Sequence, residues 1–258
     1  MSSTVLVTGA TAGIGAAFAR KLAAEGCALV LVARDATRLD AVAEELRRQH
    51  GARVEVLPAD LTDPASSATV EQRLTDAAHP VDMLINNAGK GLKGRLWETD
   101  VADQERMLAL NCTAVLRLTH AALRMMVPRG RGDIIVVSSV AGFVPGTRGA
   151  YAATKAWATA FTESLAGQLS GTGVRASVVA PGFVRTEFHQ RAGLDMSRLP
   201  ERAWLDADDV AATALRDHRA GKVVSIPGAR YKLIVAASRL APGGAVRRAS
   251  DLLRRRGL

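Results

Sequence analysis

A tyrosine and a lysine four residues apart, Tyr151 and Lys155, are the side chains in this sequence best suited to moving a proton. On a helix, positions i and i+4 lie one above the other on the same face. A phenol with an ordinary pKa of about 10 is a poor acid or base near neutrality. An ammonium beside it favours the phenolate and brings proton transfer into the working pH range. Such pairs also occur on helix surfaces with no chemistry attached. This one is accompanied by three further stretches that supply what a hydride-transfer site needs.

The first is Gly9-Ala-Thr11-Ala-Gly13-Ile14-Gly15, between the apolar run Thr4–Thr8 and a helical pattern from Ala16 to Glu25. A strand, a glycine turn and a helix form the context in which such glycines bind a dinucleotide. The helix start offers free N–H groups to the pyrophosphate, and missing side chains let the backbone come close. The second is the end of the strand Ala28–Ala33, where Arg34, Asp35 and Arg38 follow. In a dinucleotide fold this point faces the adenosine ribose. An acidic residue there would bind the 2′-hydroxyl of NAD, whereas arginines favour a 2′-phosphate. Asp35 is expected to cap the next helix, so NADP(H) is expected over NAD(H).

The third comprises polar groups at later strand ends, where ligands bind in open α/β sheets. Strand Val54–Pro58 leads into Ala59, Asp60 and Leu61, with Thr62 and Asp63 capping a helix. Strand Val81–Ile85 leads into Asn86-Asn87-Ala88-Gly89, either turn-formers or groups that shape a cofactor site. Residues 99–127 read as one long helix in which Asn111 is surrounded by apolar positions. It is either an internal tie or a polar group in a site. Strand Asp133–Val137 ends in Ser138 and Ser139, and the helix bearing Tyr151 follows Gly142, Pro145, Gly146 and Gly149 and continues to about Leu169. Strand Val174–Ala180 ends in Pro181-Gly182-Phe-Val184-Arg-Thr186. Residues 187–205 lack periodicity and are expected to form a lid or binding element. A helix from Asp206 to about Arg219 and a strand Val223–Pro227 complete the pattern.

At 258 residues, with 48% hydrophobic and 23% charged residues, the chain suits one large α/β domain. Cys27 and Cys112 have no metal-ligand spacing, and no metal is expected. Reduced thiols and a start that runs straight into a strand fit a cytoplasmic protein with no targeting peptide.

Together these stretches resemble the short-chain dehydrogenase/reductase family, of the classical type, over roughly residues 4–228. The likeness rests on T-G-x-x-x-G-x-G from Thr8 to Gly15, N-N-A-G from Asn86 to Gly89 and Asn111. It continues with the serine pair, Y-x-x-x-K at Tyr151 and Lys155, and P-G-x-V-x-T from Pro181 to Thr186. Each is weak alone, and six in order are specific. The resemblance implies a single Rossmann-type domain, a doubly wound seven-stranded parallel sheet with helices on both faces. It implies an oxidoreductase interconverting a carbonyl and an alcohol. Tyr151 would handle the proton, Lys155 would bind the nicotinamide ribose, and Asn111 would hold a relaying water. Asp60 and Leu61 would sit near the adenine, Asn87, Ala88 and Gly89 near the ribose, and Val184 and Thr186 near the carboxamide, beside Pro181 and Gly182. A serine would bind the substrate oxygen. Family spacing gives Ser138 and the local S-x-A-G pattern gives Ser139. Ser139 is preferred, because a loop absorbs a deletion more easily than a strand absorbs a register shift. Family members are usually dimers or tetramers.

Residues 229–258 form a basic extension with eight Arg or Lys against Asp251 alone, a net +7 of the chain's +9. Such a segment could lie on an anionic membrane surface, cover the substrate pocket, pack on a partner subunit or be solvated. Nucleic acid is not expected as a partner, since Tyr231 is its only aromatic. Phe188, Leu194, Met196, Leu199 and Trp204 suggest a mainly apolar, lipid- or steroid-like substrate. The competing readings are a catalytically silent dinucleotide-binding sensor and a peripheral membrane protein using the basic segment.

Overall fold

Apolar runs of four to six residues alternate with helical patterns along the chain, and each pair becomes a strand followed by a helix. The order is β1 (Thr4–Thr8), α1 (Gly13–Ala24), β2 (Ala28–Ala33), α2 (Ala36–His50), β3 (Val54–Pro58), α3 (Pro64–Leu74) and β4 (Met83–Asn86). There follow α4 (Val101–Leu108), α5 (Ala114–Met126), β5 (Gly132–Val137), α6 (Gly149–Gln168) and β6 (Val174–Val179). The chain closes with α7 (Phe188–Arg191), α8 (Ala207–Arg219), β7 (Val224–Ser225) and α9 (Ala229–Leu240). The structure, a computed structural model, describes residues 3–144, 149–197 and 199–240. Pro145, Gly146 and the 241–258 part of the basic segment lie outside the described residues.

The seven strands are parallel, in the order β3-β2-β1-β4-β5-β6-β7. Successive strand residues point to opposite faces. Val5 and Val7 therefore pack with α1, α2 and α8, while Leu6 packs with α3, α5 and α6. Covering both faces is why the strands read as nearly continuous apolar runs. The strand order reverses between β1 and β4, and a ligand crevice opens at the carboxyl ends of such a switch point. Asp35, Asp63, Asp100 and Asp206 each cap the helix that follows by accepting a main-chain N–H.

Three elements differ from the sequence expectation. The helix over 99–127 is interrupted by a π turn at Ala109–Thr113, where Ala114 N–H reaches back to Ala109 O. The seventh strand shrinks to Val224–Ser225, because Pro227 has no N–H to give and Gly228, at φ 85°, turns the chain into α9. Residues 187–205 contain α7 and a 3₁₀ turn at Glu201–Ala203, each too short to show a period. A Val184–Leu205 bridge closes their base. Among the described residues no helix is long and apolar enough to cross a membrane.

Candidate active site

The switch point is tied together by Thr8. Its hydroxyl accepts from Asn87 N at 2.9 Å and Ala88 N at 3.0 Å, and donates to Ile85 O at 3.3 Å. Asn87 Nδ2 answers by donating to Thr8 O at 2.8 Å and Gly9 O at 3.3 Å. Asn86 points the other way, donating to Thr119 Oγ1 at 3.0 Å on α5, and is an internal tie. The glycine loop is packed so closely that a Cβ at Gly15 would fall 2.3 Å from Gly9 O. Ile14 packs on the core beside it. The first N–H groups of α1 have no side-chain cap, since its N-cap is Ala12.

At the end of β2, Arg34 is exposed and makes no ion pair among the described residues. Arg38 is engaged. It grips Glu187 at 2.8 and 3.1 Å and donates to Thr11 O at 3.3 Å. Glu187 also pairs with Arg191, so the start of the 187–205 segment is strapped across to α2. Its hydrogen bond from Arg38 holds its carboxyl below the usual range. Asp60 accepts from Thr62 N at 2.9 Å and Thr62 Oγ1 at 2.7 Å, next to buried Leu61. Burial would raise the Asp60 carboxyl, but those bonds and the nearby Arg34 and Lys90 hold it down.

On α6, Tyr151 and Lys155 share the face turned to the crevice, and both are buried. The Lys155 ammonium stands 6.0 Å from the Tyr151 ring centre and donates to Val137 O at 2.8 Å. Burial pushes it down to about 8. Asn111 lies in the π turn, directly opposite. Its Nδ2 donates to Lys90 O at 2.9 Å and Thr154 Oγ1 at 3.0 Å, and its Oδ1 accepts from Lys90 N at 2.9 Å. The position of a Cβ on Gly89 would be 3.2 Å from Asn111 Oδ1 and 3.3 Å from Lys155 Nζ, which locates the point where three elements converge.

The two serines separate cleanly. Val137 faces the α1 side, so Ser138 continues the alternation onto α6, where its buried hydroxyl donates to Lys155 O at 2.7 Å and meets Thr159 Oγ1 at 2.8 Å. Ser139 turns the opposite way and caps the 3₁₀ turn Val140–Phe143, accepting from Ala141 N at 3.2 Å. Beyond it, Pro181 O accepts from Val140 N at 3.0 Å, Val184 is buried, and Thr186 packs over Gly13.

The sequence model of the short chain dehydrogenase family matches residues 3–197. The chain belongs to the short-chain dehydrogenase family. It is an oxidoreductase acting on CH–OH and C=O groups with a nicotinamide dinucleotide. Sulfoacetaldehyde reductase 2 of Chromohalobacter salexigens is 40% identical over 192 residues, which cover 73% of this chain and 75% of that protein. A short-chain dehydrogenase from Sphingobium yanoikuyae, solved with NADPH, superposes with a TM-score of 0.85 at 40% identity, covering 92% of this chain and 93% of the other. One from Burkholderia phymatum, solved with NAD, gives 0.81 at 27% identity, covering 93% and 92%.

The residues of this short-chain dehydrogenase fit such a cofactor. Lys155 Nζ has three N–H donors and, among the described residues, a single acceptor, which leaves capacity for ribose hydroxyls. The uncapped start of α1 suits a pyrophosphate. Several residues of the site escape sequence reading. Thr8 could have been found from its place in the glycine motif. Thr154 and Glu187 carry no signal beyond adjacency to Lys155 and Thr186, and Tyr231 carries none at all.

Proposed function

We propose that this short-chain dehydrogenase is an NADP(H)-dependent carbonyl reductase or alcohol dehydrogenase in which Tyr151 handles the proton. The observation that carries this reading is the buried Lys155 ammonium, held on the Tyr151 face of α6 with donors to spare. When bound, the dinucleotide supplies or accepts the hydride. Tyr151 gives its phenolic proton to the carbonyl oxygen in reduction and takes one from the alcohol in oxidation. Ser139 accepts from Ala141, so its own proton is left to hydrogen-bond the same oxygen as negative charge develops there. Lys155 favours the phenolate and binds ribose hydroxyls. Asn111 has committed both Nδ2 protons to Lys90 and Thr154, leaving a lone pair of Oδ1 to hold a relaying water. Arg34, exposed and without an ion pair among the described residues, supports preference for the 2′-phosphate.

The substrate is mainly apolar. The Phe188 ring lies 5.7 Å from that of Tyr151, and Phe188, His189, Trp204 and Phe183 form one aromatic cluster over the site. A second reading concerns α9, where exposed Leu233 and Ile234 share a face with Arg230. This face suits an anionic membrane surface, and liposome binding with and without residues 229–258 tests it.

The main test compares NADPH and NADH oxidation across ketones and aldehydes, with Tyr151→Phe alongside. Turnover with NADPH should fall by at least about 10²- to 10⁴-fold in the variant while NADPH still binds. Equal activity in the variant overturns the mechanism. Faster turnover with NADH overturns the cofactor preference.

A further inference from the structure

Tyr231, on the first turn of α9, is buried at the back of the site. Its hydroxyl accepts from Phe183 N at 3.2 Å and donates to Ala203 O at 2.6 Å. Those two groups lie twenty residues apart, just before the 187–205 lid and near its end. The lid's base is otherwise closed by two main-chain bonds, Leu205 N to Phe183 O at 2.8 Å and Arg185 N to Leu205 O at 3.0 Å. The ring fills the space over Gly182, where a Cβ would come within 2.0 Å of Tyr231 Cζ. At its other end α9 reaches the turn that carries Ser139. Arg239 lies 5.0 Å over the Phe143 ring and 3.7 Å from Glu163 on α6.

We propose that Tyr231 is a positioning residue of the reaction, a single phenol that fixes both ends of the lid and the Pro181–Thr186 turn behind the nicotinamide position. It touches neither substrate nor cofactor and acts through the groups it holds. Its ring sets the approach of Gly182, and its hydroxyl sets where the lid, and hence Phe188, stands over Tyr151. The start of the basic segment is on this account a working part of the site. The inference rests on the reductase reading for its kinetic consequence and not for its geometry.

The variant Tyr231→Phe keeps the ring over Gly182 and removes both hydrogen bonds. In the full-length protein, main-chain hydrogen exchange at Phe183 and across 184–205 should quicken by about fivefold or more, the scale of one lost hydrogen bond. With NADPH and the best ketone, kcat/KM should fall by about five- to thirtyfold, through KM for the ketone and kcat, while NADPH affinity stays within about twofold. A residue that served stability alone would lower Tm and leave this split untouched. Exchange in the lid equal to wild type overturns the proposal, as do wild-type kinetics with faster exchange. A wild-type protein that turns over no carbonyl compound would fail the reductase reading, and hydrogen exchange would then decide the role of Tyr231 alone. The pair Gly182→Ala and Gly182→Ala/Tyr231→Ala gives a second arm. The added methyl should weaken NADPH binding, and removing the ring should restore part of it. No restoration counts against the contact.

Discussion

Lys155 has a stability consequence that follows from its burial. Its amine is pushed from an ordinary value of 10.5 down to about 8 by desolvation. In the unfolded chain it keeps the higher value, so between about pH 8 and 10.5 the unfolded state binds a proton that the folded state has released. Stability from this group therefore rises across that window, and the cost of burying the ammonium is fully present below pH 8. The proposed proton relay runs the opposite way, because it needs the ammonium and fades above about pH 8. Chemical denaturation of wild type and Lys155→Met should diverge from pH 8 upward, with only the wild type gaining, while reductase activity falls over the same range. A flat difference would place the amine in water. At this scale the sequence was informative where chemistry and spacing coincide, as at Tyr151 and Lys155. Alternation along β5 showed that Ser138 and Ser139 are not equivalent, and the structure turns them to opposite sides. Partners distant along the chain were invisible: the Thr154 that anchors Asn111 looks like any helix threonine, and Tyr231 lies 80 positions from Tyr151.

The strands were legible because most are buried on both faces and all are bounded by turn residues, and β1, β2 and β3 run over the residues expected. Interruptions and couplings were not. No pattern announces a π turn, and nothing in Arg38 or Glu187 alone says that they meet across 149 positions. Their pairing has a measurable effect. Glu187 takes two of the five N–H groups of Arg38 and would compete with a 2′-phosphate for its charge, and a half-exposed ion pair of this kind contributes about 0.2–1 kcal/mol. Glu187→Gln should therefore tighten NADPH binding by up to about fivefold and leave NADH binding unchanged, as read by calorimetry. Equal gains for both dinucleotides would separate Arg38 from the 2′-phosphate.

At the scale of the whole molecule, most of the exposed large apolar side chains among the described residues fall in two regions. Leu233 and Ile234 lie on α9, while Leu96, Trp97, Val101, Leu108 and Leu116 lie before and along α4 and α5. Exposed apolar groups gathered in this way mark association sites. The protein should sediment as a dimer or tetramer, and Leu108→Glu with Leu116→Glu should shift it to a smaller species in analytical ultracentrifugation. A wild-type monomer would refute this. The π turn decides whether these side chains can act together. Val101 and Leu108 are seven residues apart, two full turns, whereas Leu108 and Leu116 are eight apart with the π turn between them. The extra residue acts as a phase correction of about 100°, letting one helix keep a continuous outer stripe while Asn111 faces inward. Deleting a single residue such as Leu110 would straighten the helix into ordinary α geometry. The outer stripe would stay in line, with Leu108 and Leu116 then seven residues apart, while Asn111 would turn relative to Lys155. The outer face thus tolerates the loss of the extra residue, and the reaction site does not.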